Sequence, residues 1–378
     1  MTMLAAVIGG NLQGVEAAYL AKKAGWQVLV CDKNPCAGAS SMCDRFLPVT
    51  VMAETDPREI LEGVDLIIPA LENVEALSVL QKWSLETGIP LAFDMEAYAV
   101  SSSKKRSDRM FREIGVNAPR SWPQCGFPVV VKPDSQSGSR GVKIINSEKE
   151  LALYFPSEDS IGNMVAQEYL DGPSYSIEVI GSPGNYIPLQ VTELHMDSAY
   201  DCKRVIAPAE LDCKLVREFE RIAIAIAERI SLKGLMDVEV ILHDGQLKVL
   251  EIDARLPSQT PTAVYHSTGI NMVEMLGELF LDGRVNVKEL ARPKAVIYEH
   301  IKVTNGQIQA KGEHIVSGAG PLRLVEGLFD ADEVITNYHP GMTEWVATLI
   351  IKGKTPRQVL DKKQCVYDNI GGLEAENR

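Results

Sequence analysis

Residues 1–98 alternate short apolar segments with amphipathic segments, and this alternation constrains the fold more than any other feature of the chain. Segments 4–8, 27–31 and 65–69 are short and apolar, which is typical of strands buried in a parallel sheet. Helices are predicted between and after these strands, and Asn73 is placed to cap the last of them. This order of elements predicts an N-terminal domain built on an open parallel α/β sheet with right-handed crossovers.

The pattern of elements changes after this domain. Two predicted strands, 128–132 and 142–146, flank a loop rich in glycine and serine, as in a hairpin. A long amphipathic helix is predicted over 215–230, and further β-strands follow it. The fold class is therefore a multidomain combination of α/β and α+β, because 378 residues exceed what one small core holds. The predicted boundaries give a central domain over 99–178 and an antiparallel, β-rich C-terminal domain over 179–378.

Charge and composition limit the partners of the chain. It carries 38 Lys and Arg against 51 Asp and Glu, a formal net charge of −13. Such a surface argues against a nucleic acid or an anionic membrane as a partner. No apolar run approaches the roughly 18 residues that cross a bilayer, and the N-terminal segment lacks the basic residues of a signal peptide. The seven cysteines match no common zinc spacing, so we expect a cytoplasmic protein with reduced thiols.

A glycine-rich loop, Gly-Gly-Asn-Leu-Gln-Gly over residues 9–14, joins the first strand to the first helix. A dinucleotide site has a similar turn, followed by an acid such as Asp32 after the second strand. Asn11 replaces the middle glycine of that motif, so we favour a turn that shapes a cleft over an NAD site. Glu72 follows the third strand, at the sheet edge where ligands bind. Asn11 and Glu72 are therefore candidate substrate residues, Glu72 for an ammonium group; an acid that only stabilises a helix N-terminus is the alternative.

A second loop carries a stronger signal for phosphate. Lys132 ends the apolar strand Val129–Pro133, and the loop Asp-Ser-Gln-Ser-Gly-Ser-Arg-Gly follows at residues 134–141. The lysine supplies charge, and the loop supplies N–H and hydroxyl donors. Taken alone, such a loop is a turn more often than a phosphate site. The acids further along the chain favour the phosphate interpretation.

Three carboxylates are predicted to meet on one hairpin. In the segments 236–242 and 249–255, the period-2 alternation puts Glu239, Glu251 and Asp253 on one face once the two strands pair. Carboxylates so close repel each other unless a cation neutralises them, and hard oxygen ligands beside a triphosphate indicate Mg²⁺. Surface acids on an edge strand are the alternative.

The ordered set of these motifs resembles the ATP-grasp superfamily from about residue 4 to residue 277. The order is an α/β N-domain, Lys104, Lys132 with its glycine-rich loop, the segment Gln-Glu-Tyr-Leu ending at Leu170, and the strand pair with Glu239 and Glu-x-Asp-x-Arg. Within the superfamily, the chain is most similar to the ligases of pyrrolysine biosynthesis, which join 3-methyl-D-ornithine to the ε-amine of L-lysine. The resemblance implies an ATP-grasp fold with a central lid domain that covers ATP.

The resemblance also implies a role for each matching residue. Lys104 and Lys132 match the lysines that hold ATP phosphates. The loop that covers the phosphates corresponds to Ser137, Gly138, Ser139 and Gly141. The adenine contacts correspond to Glu168, Tyr169 and Leu170. Lys203 resembles a γ-phosphate contact, and Ser174 stands where many members have the glutamate that binds the ribose. Glu239, Glu251 and Asp253 resemble the Mg²⁺ ligands, and Arg255 resembles the arginine that stabilises the oxyanion.

The implied activity is amide formation through an acyl phosphate, with ATP and two Mg²⁺ ions as cofactors and Mn²⁺ able to replace Mg²⁺. The implied substrates are a diamino acid and L-lysine, and a homodimer is an assembly found among relatives. Two alternatives stay open at this stage. One is an enzyme of the purine or biotin type, which phosphorylates bicarbonate, and the other is a regulatory module that binds ATP without turnover.

Overall fold

The computed structural model of the chain describes residues 2–52, 55–136, 138, 141–155, 162–286 and 293–376. Within these ranges the strands form three sheets: a four-stranded parallel sheet, a three-stranded antiparallel sheet and an eleven-stranded antiparallel sheet. The helices lie on and between these sheets. The combination of a parallel N-terminal sheet with a large antiparallel sheet confirms the predicted fold class, and the predicted domain boundaries stay predictions.

The parallel sheet has the strand order β3-β2-β1-β4. Its strands are β1 (Leu4–Ile8), β2 (Gln27–Asp32), β3 (Arg45–Pro48) and β4 (Leu66–Pro69). The connecting helices are α1 (Leu12–Lys23), α2 (Pro57–Ile60) and α3 (Val74–Thr87). The side chain of Asn73 accepts a hydrogen bond from the backbone N–H of Ala76 at 2.8 Å, so the predicted N-cap of α3 is confirmed.

The glycine-rich loop between β1 and α1 is tightly packed against the sheet. A Cβ on Gly9, whose φ is +108°, would lie 2.3 Å from the carbonyl oxygen of Ala70. A Cβ on Gly14 would lie 2.1 Å from the carbonyl oxygen of Gly9. Asp32 Oδ2 accepts from the backbone N–H of Gly10 at 2.6 Å. The geometry of the turn therefore explains why Gly9 and Gly14 are glycines and why Asp32 is an acid. This supports the interpretation of the loop as a turn that shapes a cleft.

The small antiparallel sheet follows two helices and has the order β6-β5-β7. Its elements are α4 (Met95–Ser101), α5 (Lys104–Glu113), β5 (Val129–Pro133), β6 (Lys143–Ile145), α6 (Glu148–Tyr154) and β7 (Met164–Glu168). Ser103 caps α5, so Lys104 is the first helical residue. Glu168 ends β7, and Tyr169 and Leu170 leave the sheet after it.

The large sheet has the order β13-β12-β8-β10-β11-β14-β18-β17-β16, with β9 paired to β8 and β15 paired to β14. Its first strands are β8 (Ser174–Ser182), β9 (Asn185–Pro188), β10 (Thr192–Met196), β11 (Cys202–Ala207), β12 (Gly234–His243) and β13 (Gln246–Asp253). The others are β14 (Ala295–Thr304), β15 (Gln307–Ala310), β16 (Arg323–Glu326), β17 (Glu333–Thr336) and β18 (Glu344–Gly353). Residues 189–191 lie between β9 and β10 and belong to neither strand.

In the described residues, five α-helices accompany this sheet: α7 (Cys213–Arg229), α8 (Thr260–Thr268), α9 (Met272–Gly277), α10 (His314–Ser317) and α11 (Pro356–Glu376). The sequence predicted α7, whereas α11 was missed in a segment expected to be β-rich. Val359, Val366 and Ile370 of α11 are buried in the core of the C-terminal half. Among the described residues, no helix is both long enough and apolar enough to cross a membrane.

Helix α1 joins the parallel sheet to the large sheet. Its buried residues share one hydrophobic core with α8, α9 and strands of both sheets. Buried polar contacts reinforce this packing: Glu16 Oε1 accepts from the backbone N–H of Thr262 at 2.6 Å, and Tyr19 donates to Glu333 Oε2 at 2.6 Å. The small sheet has its own core of Cys125, Val129, Val131, Ile145 and Leu151. The three sheets thus border a cleft.

Candidate active site

Three adjoining cavities form the cleft. The lid cavity, of about 150 Å³, lies between the small sheet and the β12–β13 hairpin. The acid cavity, of about 130 Å³, contains Glu239, Glu251 and Asp253. The amino-terminal cavity, of about 1030 Å³, contains Asn11 and Glu72. Neighbouring cavities share lining residues, so they are one continuous cleft: Glu239 and Glu251 line the first two, and Arg255 lines the last two.

The lid cavity brings together most of the predicted nucleotide residues. Val130, Ile144, Ile241 and Leu250 supply apolar walls. The predicted nucleotide residues that line it are Lys104, Lys132, Glu168, Tyr169, Leu170 and Ser174. Gly138 instead lines the other two cavities, and Gly141 lies against Pro133. Ser137 and Ser139 lie outside the described residues. An apolar slot with two lysines at one end has the chemistry for a base and its phosphates.

The two lysines face the acids of the hairpin. Lys104 Nζ lies 2.7 Å from Glu251 Oε1 and donates to the carbonyl oxygen of Gln136 at 2.7 Å. Lys132 is 6% exposed; burial lowers the pKa of its ammonium, and the charge of Glu251 acts against this. Both cations are therefore held where they can contact an anion in the lid cavity.

The side chain of Glu168 is engaged outside the cavity by two cations. Arg120 and Lys248 donate to its two carboxylate oxygens at 2.8 and 2.9 Å. Burial alone would raise the pKa of Glu168, but these hydrogen bonds lower it to about 2. The ion pairs fix the end of β7. They leave the following residues, Tyr169 and Leu170, along the cavity wall.

The hairpin pairs four carboxylates, one more than the sequence predicted. Glu239 lies opposite Glu251, and Asp237 lies opposite Asp253. Asp237 is 6% exposed, and its Oδ1 has no hydrogen-bond partner among the described residues. Burial raises the pKa of Asp237, Glu239 and Asp253, and the like charges of the neighbouring acids raise it further. A bound cation would offset the repulsion between these buried carboxylates.

The donor set fits Mg²⁺, which prefers carboxylate oxygens. In the part of the chain that the structure describes, no three acidic, histidine or cysteine side chains already converge as a metal-binding group. Glu251 instead contacts Lys104, and Asp253 contacts Arg255. The residues that could hold Mg²⁺ are Glu239, Glu251 and Asp253, with Asp237 beside them.

Arg255 connects the acid cavity to the amino-terminal cavity. One nitrogen of its guanidinium lies 2.8 Å from Asp253 Oδ2 and 2.8 Å from Glu72 Oε1. Burial lowers the pKa of Arg255, but Asp253 and Glu72 outweigh it, so the guanidinium is held in the charged form. Glu72 Oε1 also accepts from Gln13 at 3.0 Å. Glu72 thus contacts the arginine predicted to stabilise the oxyanion, a contact that the sequence did not indicate.

Comparison with known proteins places this geometry in a family. A model described as an ATP-grasp domain matches residues 101–259. The 3-methyl-D-ornithine–L-lysine ligase of Methanosarcina acetivorans is 41% identical over 313 residues, which cover 82% of this chain and 83% of that protein. The Methanosarcina barkeri ligase of the same name is 38% identical over 315 residues, with 82% and 83% covered. The chain belongs to this family of ATP-grasp ligases.

Solved structures agree with the fold of this ATP-grasp ligase. One match is the biotin carboxylase domain of 2-oxoglutarate carboxylase from Hydrogenobacter thermophilus, crystallised with MgADP, ADP and bicarbonate. Its TM-score is 0.73 at 16% identity, and the match covers 97% of this chain and 90% of that chain. The L-amino acid ligase of Bacillus licheniformis matches with a TM-score of 0.69 at 18% identity, covering 97% and 98%. At these identities the likeness shows the fold alone. The predicted superfamily and the predicted class, an ATP-dependent ligase that forms a carbon–nitrogen bond, are confirmed.

Lys203 is a predicted site residue of this ligase that lies in an irregular part of the β10–β11 ladder. In the β10–β11 ladder, His195 pairs with Arg204 and Met196 pairs with Cys202, so Lys203 is the extra residue of a β-bulge. It lines none of the three cavities. Together with burial, the charge of Lys203 helps to lower the pKa of His195 and of Lys363. The role of Lys203 at the γ-phosphate stays a prediction.

Sequence reasoning missed several side chains that border the acid and amino-terminal cavities of the ligase: Asp201, Gln259, Glu313 and His314. Gln259 is buried with a φ of +75°, a backbone conformation that a non-glycine residue adopts only under constraint. Its Nε2 donates to Glu313 Oε2 at 2.8 Å, and Ser258 donates to the same oxygen at 2.7 Å. These contacts join residues far apart in the chain, and no local periodicity signals them.

Proposed function

We propose that this ligase uses ATP to join the carboxylate of 3-methyl-D-ornithine, or of D-ornithine, to the ε-amine of L-lysine, as the names of its relatives indicate. Identity of 41% over 82% of the chain supports this substrate pair over the bicarbonate substrates of carboxylases, whose structural likeness rests on 16% identity. The observation that carries the chemistry is the continuous cleft, in which Arg255 lies between the acids and the large cavity.

The lid cavity is the proposed ATP site. Adenine would lie between its apolar walls beside Glu168, Tyr169 and Leu170, with the phosphates directed to Lys104 and Lys132. Ser174 also lines this cavity and is the proposed ribose contact in place of a glutamate. The lysines would neutralise charge on the phosphates, and their near-complete burial strengthens each contact.

Glu239, Glu251 and Asp253 are the proposed Mg²⁺ ligands, for two ions, with Mn²⁺ able to replace Mg²⁺. When bound, the metal would supply charge neutralisation for the transferred phosphoryl group. The four clustered carboxylates support this assignment, because their charges repel each other in a buried site. Lys104, which now contacts Glu251, would then turn to the phosphates.

The reaction proceeds by phosphoryl transfer followed by acyl transfer. A carboxylate oxygen of the diamino acid attacks the γ-phosphorus of ATP, and ADP leaves. The acyl phosphate is then attacked by the amine, and phosphate leaves. Arg255 is placed to stabilise the tetrahedral oxyanion between these steps, because Asp253 and Glu72 hold its guanidinium at the junction of the two cavities.

The amino-terminal cavity is the proposed amino-acid site. Its volume of about 1030 Å³ lies at the upper end of the range for small-molecule sites, enough for two amino acids. Asn11 and Glu72 line it, and Glu72 is the proposed contact for the α-ammonium of L-lysine. The thiols of the described cysteines are free, which supports the proposed cytoplasmic location. The homodimer stays a prediction.

Phosphate release from ATP across a panel of D- and L-diamino acids, with and without L-lysine, tests the proposal. We expect turnover with D-ornithine and 3-methyl-D-ornithine, and an amide product only when L-lysine is added. Bicarbonate-dependent phosphate release would instead favour the carboxylase type. ATP binding without turnover for any acid would favour a regulatory module.

A further inference from the structure

A histidine–aspartate pair, His314 and Asp201, lies at the cleft and has no part in the reaction described so far. His314 Nδ1 lies 2.5 Å from Asp201 Oδ2, and the backbone N–H of His314 donates to the same oxygen at 3.1 Å. Asp201 is 8% exposed and lines the acid cavity. The ring of His314 lines the amino-terminal cavity, and 42% of the side chain is exposed. A buried carboxylate therefore holds one ring nitrogen while the ring reaches the cavity.

The backbone around this pair is shaped to hold it. A Cβ on Gly312 would lie 1.9 Å from Asp201 Oδ2, so only glycine lets the carboxylate lie at this position. Asp197 Oδ2 accepts from the backbone N–H of Gly312 at 3.1 Å, and Asp197 Oδ1 accepts from that of Asp201 at 3.2 Å. Asp197 thus ties the two segments together. The carboxylate and the ring are positioned before any substrate arrives.

The second ring nitrogen of His314 lies beside Gly138. Since Nδ1 contacts a carboxylate, Nδ1 carries the proton of the neutral ring and Nε2 keeps its lone pair. A Cβ on Gly138 would lie 3.5 Å from this Nε2. Gly138 lines both the acid cavity and the amino-terminal cavity, as does Arg255. Nε2 is therefore directed to the region where the acyl phosphate would meet the amine.

We propose that His314 accepts a proton from the attacking amine and that Asp201 positions its ring. The inference rests on the proposed function, in which the nucleophile is the ε-amine of L-lysine. A free ε-amine has a pKa of about 10.4 and is almost wholly protonated at neutral pH, so it must lose a proton before it can attack. An imidazole held within the cleft by a carboxylate is the group suited to take it.

Nε2 of His314 takes one proton from the ε-ammonium, and the neutral nitrogen attacks the acyl carbon to form the C–N bond. The C–O bond to phosphate breaks, and the second N–H proton leaves on the phosphate. The proton on His314 then passes to solvent. Asp201 keeps Nδ1 as the donor throughout and balances the positive charge that develops on the ring.

The other acids at this junction are occupied by different contacts. Glu313 Oε2 accepts from both Ser258 and Gln259, and Glu72 Oε1 accepts from Arg255 and Gln13. One oxygen of each of these carboxylates therefore already accepts two hydrogen bonds. The ring of His314 contacts Asp201 through Nδ1, which leaves Nε2 on the opposite side of the ring.

The test separates the two half-reactions in the full-length enzyme with ATP, Mg²⁺ and D-ornithine. Hydroxylamine is unprotonated at neutral pH, so it traps the acyl phosphate as a hydroxamate without a proton acceptor. In His314→Asn and in His314→Gln, we expect hydroxamate formation to stay within threefold of wild type. Amide formation with L-lysine should fall by about 100-fold or more, the range of general base catalysis. His339→Asn, at an exposed histidine outside the cavities, is the matched control.

Asp201→Asn should lower kcat for L-lysine and leave both its KM and the hydroxamate rate near wild type, as expected of a positioning residue. Equal losses with hydroxylamine and L-lysine in both His314 variants would make the histidine structural and overturn the proposal. Unchanged amide formation in both variants would also overturn it. If wild-type enzyme forms no hydroxamate with any diamino acid, the proposed function itself fails, an outcome distinct from the other two.

Discussion

Replacing Lys132 with alanine tests the proposed ATP site most directly. Lys132 ends β5 and lines the lid cavity, where its side chain is almost buried. A charge-assisted hydrogen bond contributes about 1.5–3 kcal/mol, and burial places this contact in the upper half of that range. A loss of about 2–3 kcal/mol corresponds to ATP binding that is about 30- to 150-fold weaker. Isothermal titration calorimetry with ATP and Mg²⁺ measures this dissociation constant.

The matched control for Lys132→Ala is Lys143→Ala. Lys143 lies on β6 of the same small sheet, and its ammonium sits over the ring of Tyr154, 4.0 Å from the centroid. It does not line the lid cavity, so its loss should change the dissociation constant for ATP less than twofold. Nucleotide binding that is unchanged in Lys132→Ala, or weakened equally in both variants, would refute the assignment of Lys132 to the phosphates.

Three further predictions concern acids. Glu251→Gln should lower kcat by orders of magnitude in steady-state assays, because a metal ligand that acts on the transferred phosphoryl charge is lost. Circular dichroism should show that the variant is folded, and near-normal turnover at saturating Mg²⁺ would contradict the prediction. Glu72→Ala should raise KM for L-lysine by about 10- to 150-fold, and the variant should still form the hydroxamate. If hydroxamate formation is lost while lysine affinity is unchanged, Glu72 instead binds the acid substrate or holds Arg255 in place. Burial raises the pKa of Glu16 from 4.5 to about 7, so the folded state binds the proton more tightly and stability falls as pH rises through this window. In urea unfolding, Glu16→Gln should therefore raise the free energy of unfolding at pH 8 by up to about 3 kcal/mol relative to wild type, and by little at pH 4.5. A loss of stability that does not depend on pH would contradict this prediction.

The elements that the sequence predicted well have a local signature, either an unbroken apolar run or a regular period. β1, β2 and β4 are short apolar runs, and β12 and β13 alternate buried apolar residues with acids. The alternation also predicted that Glu239, Glu251 and Asp253 share one face, and the ladder pairs Glu239 with Glu251. A period carries this information because each side chain's direction follows from its place in the strand.

The features that the sequence did not reveal depend on contacts between distant segments. The bulge at Lys203 breaks the period of β11, so alternation cannot place this side chain. His314 and Asp201 are 113 residues apart, and only the folding of the large sheet brings them together. Helix α11 differs from these features because its signal was present in the sequence. Val359, Val366 and Ile370 recur at helical spacing.

The packing of α1 has a consequence for attempts to divide the protein. Apolar residues of α1, such as Val15 and Leu20, share a core with Val264 and Met272 of α8 and α9. A chain cut after residue 98 would leave complementary apolar surfaces uncovered on two separate polypeptides, and each would be prone to aggregate. A two-piece version of the enzyme would therefore regain activity only when co-expressed fragments rebuild that core.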